Sequence, residues 1–304
     1  MKPSRVVLLV ILILAIAGVA YNYYPPFRFL TWLAAGRSPV CTLQAALKSD
    51  ENLQKQVEYK DQILNASKML QEDPQGFEQW ETPNGTYWIP AGSRYVLPFN
   101  LAEQKRKIYG VGDYGPHAGD ITLDCGANVG VTVHEELAAG AKIVVAIEPA
   151  PENLECLRRN YPSQIQAGRV IVVPKGVWDK EDFLTLRVDP KNSAADSFVI
   201  KREGAVDVER VPLTTIDKLV TDLKLPRVDY IKLDIEGAEP NALRGARETL
   251  AKYKPRISIA SYHEPDHPRV IPEIIRSVRS DYQMACGPCV EAERSIRPDV
   301  LYFK

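Results

Sequence analysis

The segment Ile121-Thr-Leu-Asp-Cys-Gly-Ala-Asn-Val-Gly-Val131 constrains the fold of this chain more than any other. An apolar run of strand length enters a turn with glycine at 126 and 130 and leaves as a helix. Glycine has no Cβ to obstruct a tight turn or a ligand that approaches the backbone, and Asp124 sets a charge near the strand's end. A second apolar run, Lys142–Ile147, ends in Glu148, 22 residues beyond Gly126. An acid at that distance can accept hydrogen bonds from both hydroxyls of a ribose. Together they predict a site for a nucleoside-like ligand at a strand–turn–helix corner.

From Asp120 onward, strand and helix patterns alternate. Strands are expected over 121–125, 142–147, 170–173, 228–233, 256–260, 282–285 and 299–303, with helices over 129–139, 151–161, 215–223, 240–253 and 268–280. A β-rich excursion, including 183–188 and 197–200, interrupts the series. This alternation predicts an α/β fold with a doubly wound, mostly parallel, seven-stranded, Rossmann-like sheet. The last two strands have no room for a crossover helix between them, so they must be antiparallel.

The chain before Asp120 reads differently. Lys2 and Arg5 precede Val6–Ala20, 15 residues without a charged side chain, and Tyr21, Tyr23 and Tyr24 stand where an interfacial aromatic belt would. Gly18-Val19-Ala20 suits a cleavable signal peptide, but the Tyr-rich, Pro-Pro sequence that follows favours an uncleaved single-pass anchor. Residues 1–40 are therefore assigned to an anchor and juxtamembrane segment. Thr42–Gln71 lacks proline and glycine and carries a thin stripe of Leu43, Leu47, Leu53, Val57 and Leu64. It predicts a helical stalk over 41–73, roughly 45 Å long if continuous. Residues 74–119 form a preface with a hairpin about Asn84-Gly85, and 120–304 the main domain. A net charge of −1 over 304 residues gives no electrostatic case for nucleic acid. Of the five cysteines, Cys286-Gly-Pro-Cys289 reads as a turn whose thiols pair in an oxidising compartment.

In an open α/β sheet, ligands bind beyond the carboxyl ends of the strands. Those ends supply Asp124, Gly126, Asn128 and Gly130, then Glu148, then Trp178, then Asp234, Glu236 and Glu239, then His263. Asn128 also suits a helix N-cap. Asp234 and Glu236 share a face of an extended chain and suit substrate hydroxyls, a metal or a helix start. His263 suits a general base.

Asp124-Cys-Gly-Ala-Asn-Val-Gly, Ile147-Glu-Pro, Val211-Pro-Leu-Thr-Thr-Ile-Asp-Lys-Leu and Tyr230-Ile-Lys-Leu-Asp-Ile-Glu-Gly-Ala-Glu239, in this order and spacing, resemble the FkbM-family methyltransferases, from about Ile108 to Lys304. The resemblance implies a class I fold, S-adenosyl-L-methionine as cofactor, and O-methylation of a hydroxyl, often on a sugar or glycoconjugate. It implies that Asp124, Gly126, Asn128 and Gly130 surround the cofactor's amino acid end, Glu148 its ribose, and that Asp234 faces the reaction centre. We take His263 as the first candidate base and Asp234 or Glu236 as the second, and no metal enters the site assignment. An NAD-dependent reductase is the rival enzyme, although the tighter G-x-G-x-x-G is missing. A membrane-tethered binding protein without catalysis is the rival of another class. The flanking cations place the body outside the cytosol, whereas cofactor supply favours the cytosol.

Overall fold

The computed structural model describes residues 4–304 apart from 39, 111, 190, 191 and 293, so Lys2 lies outside it. Seven strands form the central sheet: β1 (Ile121–Cys125), β2 (Ile143–Ile147), β3 (Val170–Val173), β4 (Tyr230–Leu233), β5 (Arg256–Ala260), β6 (Met284–Cys286) and β7 (Val300–Phe303). Their spatial order is β6-β7-β5-β4-β1-β2-β3. Strands β1 to β5 run parallel, and β7 is antiparallel to both β5 and β6, as expected for the closing pair. All of β1 is buried because helices cover both faces, which is why it reads as a continuous run rather than an alternation. Strand order reverses between β1 and β4, and a crevice opens at such a switch point.

The excursion after β3 folds as a three-stranded sheet of Gly176–Val177, Asp182–Val188 and Val206–Thr214. The strand expected over 197–200 is absent. Ser197 makes a single bridge to Arg187, and its hydroxyl then accepts the amides of Val199 and Ile200, turning the chain. The single helix expected over 240–253 is two, Glu239–Arg244 and Arg247–Tyr253. They part at Gly245, where a Cβ would stand 2.1 Å from the Trp178 carbonyl oxygen.

The stalk is overturned. Helix Ser49–Ala66 lies on the body: Gln56 is buried, donates to the Phe99 carbonyl (3.1 Å) and accepts from Arg106 (2.7 Å), while Ile63 packs with Phe77, Tyr87 and Leu97. The end of the supposed stalk, Lys68–Glu72, is a strand paired with Phe77–Thr82, which in turn pairs with Gly85–Pro90. Thr82 pairs with Gly85, so the hairpin turn is Pro83-Asn84, one residue earlier than the sequence suggests.

Helix Arg5–Tyr23 has no buried residue and is long and apolar enough to cross a membrane. The next helix, Pro25–Ala34, docks on the body, burying Phe29 and Trp32 against Cys41, Ala46, Cys289 and Ile296, with Arg28 paired to Glu291 at 2.7 Å. The end of the apolar helix is tied to this docked helix, where Trp32 donates to the Tyr21 hydroxyl at 3.0 Å. Cys289 bonds to Cys41, 248 residues away, and not to Cys286, which is free. Loss of this bond by Cys41→Ser is expected to cost about 2–4 kcal/mol, because the unfolded chain gains the freedom of a long loop. Cys286→Ser is expected to cost far less. Denaturant unfolding of detergent-solubilised protein checks this, and equal midpoints for the two variants would count against it.

Candidate active site

A cavity of about 520 Å³ opens beyond the carboxyl ends of β1, β2 and β4. Its floor comes from the turn after β1 and from Asp234 and Glu236 after β4. Its walls come from Glu148 after β2, residues 192–196 and Phe198 of the excursion, and Tyr95, Phe99 and Glu103 of the preface. Of the residues singled out in the sequence, Gly126, Asn128, Glu148, Asp234 and Glu236 line it. Asp124, Gly130, His263 and Trp178 do not.

The two glycines answer to neighbours. Gly126 (φ 80°) passes so close to the end of β4 that a Cβ would stand 1.9 Å from the Asp234 carbonyl oxygen. Gly130 (φ 97°) is itself the N-cap of helix Val131–Ala138, and a Cβ there would meet the Tyr161 ring at 2.3 Å. Asn128 is therefore no N-cap. It sits at φ 49°, donates its amide N–H to Glu148 Oε2 (2.8 Å), and gives its side-chain NH₂ to the Ser193 carbonyl (2.9 Å), tying the turn to the excursion.

Asp124 also departs from its expected place. It is fully buried, stands opposite Lys232 in the β1–β4 register, and pairs with Lys232 Nζ at 3.1 Å. That ammonium also donates to the Gly126 carbonyl at 2.7 Å. Asp124 supports the turn from behind. Burial disfavours the Lys232 charge, but Asp124 and Asp234 outweigh it and hold the lysine protonated.

Glu148 is buried at the cavity wall. Oε2 accepts from Asn128 N–H, and Oε1 accepts from Ala150 N–H (2.9 Å) and the Asn153 side chain (3.4 Å). Burial raises its pKa against the pull of these bonds.

At the end of β4, Asp234, Glu236 and Glu239 gather around His263, whose side chain is 2% exposed. His263 Nδ1 lies 2.8 Å from Glu239 Oε1, and Nε2 lies 3.2 Å from Glu236 Oε1 and 3.4 Å from Asp234 Oδ1. Glu239 is fixed in turn by the amides of Ile235 (2.9 Å) and Gly237 (3.1 Å). Burial opposes charge on the imidazole, yet the Glu239 and Glu236 carboxylates lift its pKa well above the ordinary value. The ring is 2% exposed and does not line the cavity. His263 as free general base is therefore corrected: carboxylates enclose its ring away from the cavity, out of reach of an acceptor hydroxyl there.

Residues outside the sequence assignment complete the site. Tyr109 donates its hydroxyl to Asp234 Oδ2 at 2.8 Å. Arg202 pairs with Glu236, whose backbone is held in the left-handed region (φ 53°) while Ser197 donates to its carbonyl at 2.7 Å. Such a backbone costs on the order of 1 kcal/mol in a non-glycine residue and persists where its surroundings enforce it. Lys232 had a legible signal, a cation in the middle of an apolar strand. Tyr109 and Glu103 had none, since tertiary docking of the preface brings them in.

The family model for the methyltransferase FkbM domain matches residues 124–283. A curated relative, the hexuronic acid methyltransferase AglP of Haloferax volcanii, is 26% identical over 131 residues, 43% of this chain and 52% of that protein. The chain thus spans about half the length of the curated relative it matches. Among solved structures, the methyltransferase FkbM of Methylobacillus flagellatus is similar with a TM-score of 0.47 at 19% identity, covering 84% of this chain and 60% of that one. SMU.1697c of Streptococcus mutans, solved in complex with SAH, has a TM-score of 0.40 at 12% identity, covering 66% of this chain and 94% of that one. With the family model matched from the end of β1 into the approach to β6, this chain belongs to the methyltransferase FkbM domain family.

Proposed function

We propose that the chain is an S-adenosylmethionine-dependent O-methyltransferase acting on a sugar hydroxyl. The observation that carries the reading is the meeting, in one cavity of a chain of this family, of the glycine turn and Glu148 with the carboxylates after β4. The residues fit the cofactor. The turn at Gly126–Asn128 offers close backbone approach, and Glu148, with three donors on roughly four acceptor positions, keeps capacity for one hydroxyl. Bound there, the cofactor supplies a methyl group already activated by its sulfonium.

The chain's own residues orient the acceptor and take its proton. Tyr109 holds Oδ2 of Asp234, while Oδ1, 3.4 Å from His263 Nε2, accepts no hydrogen bond, which makes Asp234 the proton acceptor we assign among the cavity carboxylates after β4. Glu236 is engaged by Arg202. The hexuronic acid substrate in the curated relative's name supports a sugar acceptor. The Cys41–Cys289 bond and the apolar first helix support an anchored body on the oxidising side of a membrane, against the cytosolic placement that cofactor supply favours.

The test is transfer of labelled methyl from S-adenosylmethionine to hexuronic-acid oligosaccharides by the purified full chain. Asp234→Asn is expected to slow transfer about 100-fold or more with cofactor binding retained. Calorimetric binding of NADH in place of S-adenosylmethionine would favour the reductase instead.

A further inference from the structure

We propose that Asp234, Glu236 and His263 form a binding site for one divalent transition-metal ion, of the Mn²⁺ or Zn²⁺ class. The three side chains each direct one ligand atom into a common space, all within 4.8 Å of one another. Ligands held about 2.0–2.2 Å from one ion in tetrahedral or octahedral geometry stand about 3–3.5 Å apart. The Nε2 separations of 3.2 Å and 3.4 Å from the Glu236 and Asp234 oxygens fall in that interval.

An independent observation points to a ligand there. His263 Nε2 is buried, aimed into the cluster, and without a hydrogen-bond partner, with Glu236 and Asp234 oxygens 3.2 and 3.4 Å away; Asp234 Oδ1 is unpartnered as well. Meanwhile Nδ1 is bonded to Glu239, which is itself clamped by two backbone amides. A carboxylate on the far nitrogen is the arrangement that orients a metal-binding histidine and fixes its tautomer. In that tautomer the Nε2 lone pair faces two carboxylate oxygens, which is repulsive unless a positive charge lies between them. A proton on Nε2 would be shared with one carboxylate oxygen and leave the other unmatched, whereas a cation between them accepts a lone pair from all three atoms.

The donor set decides the class of ion. One imidazole with two carboxylates is borderline in softness and suits Mn²⁺ or Zn²⁺ better than Ca²⁺, which takes six to eight oxygens. Three protein ligands leave positions open, and Asp234 and Glu236 both line the cavity, so an open position can accept an oxygen of a bound molecule. With the ion present, Asp234 acts as ligand and not as direct proton acceptor. The proposal concerns binding and holds whether or not the chain transfers methyl groups.

The experiment uses the purified full chain stripped with a chelator and titrated with Mn²⁺ alone, followed by electron paramagnetic resonance, and with Zn²⁺ alone, followed by calorimetry. One ion per chain is expected for the unaltered protein. Asp234→Asn, which keeps shape, and His263→Ala are expected to weaken binding at least tenfold, and Glu239→Gln about 10- to 100-fold through the orienting bond. Thermal unfolding of each variant without metal reports whether it folds, and Asp234→Asn carries the comparison if His263→Ala does not. Failure of both ions to bind the unaltered chain, or equal binding by the unaltered chain and Asp234→Asn, would overturn the site.

Discussion

Gly126→Ala is expected to lose about 3 kcal/mol or more of stability, the largest effect of any single methyl group added to the glycine turn. Two costs combine. The φ of 80° is a left-handed backbone that alanine adopts at a penalty of roughly 1–2 kcal/mol. The added Cβ also meets the Asp234 carbonyl oxygen at 1.9 Å and its carbonyl carbon at 3.0 Å, and backbone at the end of a buried parallel strand cannot swing aside as a long side chain would. Either the turn lifts off or the end of β4 moves, and both displace Asp234 relative to Glu148 and so weaken cofactor binding. Gly168→Ala separates the two costs, since Gly168 has φ 67° and nothing within 4 Å of its Cβ position. It is expected to lose only the conformational part. Urea unfolding of both variants checks this, and equal losses would show that the close approach costs nothing.

Strands β1, β2, β4 and β5 were legible because each is a short apolar run between turn residues, and the antiparallel β6–β7 pair followed from the missing crossover. Helix Ser49–Ala66 was legible as a helix but not in its placement. It is held partly by buried polar contacts, Gln56 to Phe99 and Arg106, and a search for an apolar stripe counts Gln56 as solvent-facing. The Cys41–Cys289 bond joins residues 248 apart, and no local pattern marks such a pairing.

In the site, the strand-end rule located Asp234, Glu236 and His263 but could not assign their roles. Proximity to a strand end says nothing about the second carboxylate on the far side of a ring. Glu239, which sets the state of His263, starts the next helix and reads as an ordinary first-turn acid. Asp124 failed for a related reason. It shares a face of β1 with Thr122, and its partner Lys232 lies 108 residues further along the chain. The register between two parallel strands that are distant in sequence decides whether such an acid faces a ligand or a buried cation.

That register gives the second large effect. Lys232→Met is expected to cost about 3–5 kcal/mol, because it leaves Asp124, fully buried, facing no cation. Burial works against the Lys232 charge, but Asp124 and Asp234 raise its pKa above that of an ordinary lysine. The lysine's contribution is therefore lost as pH rises through its higher folded value, while burial raises the Asp124 pKa, so the pair also weakens as falling pH protonates that carboxylate. Removing both charges should be cheaper than removing one: Asp124→Leu with Lys232→Met is expected to recover at least half of the loss, since a buried pair exchanged for apolar residues often leaves stability unchanged. Recovery should stay incomplete, because the ammonium also donates to the Gly126 carbonyl and braces the turn from below. A double-mutant cycle in urea measures the coupling directly. Strictly additive losses would mean that Asp124 and Lys232 do not support one another, and that the turn stands without the buried pair.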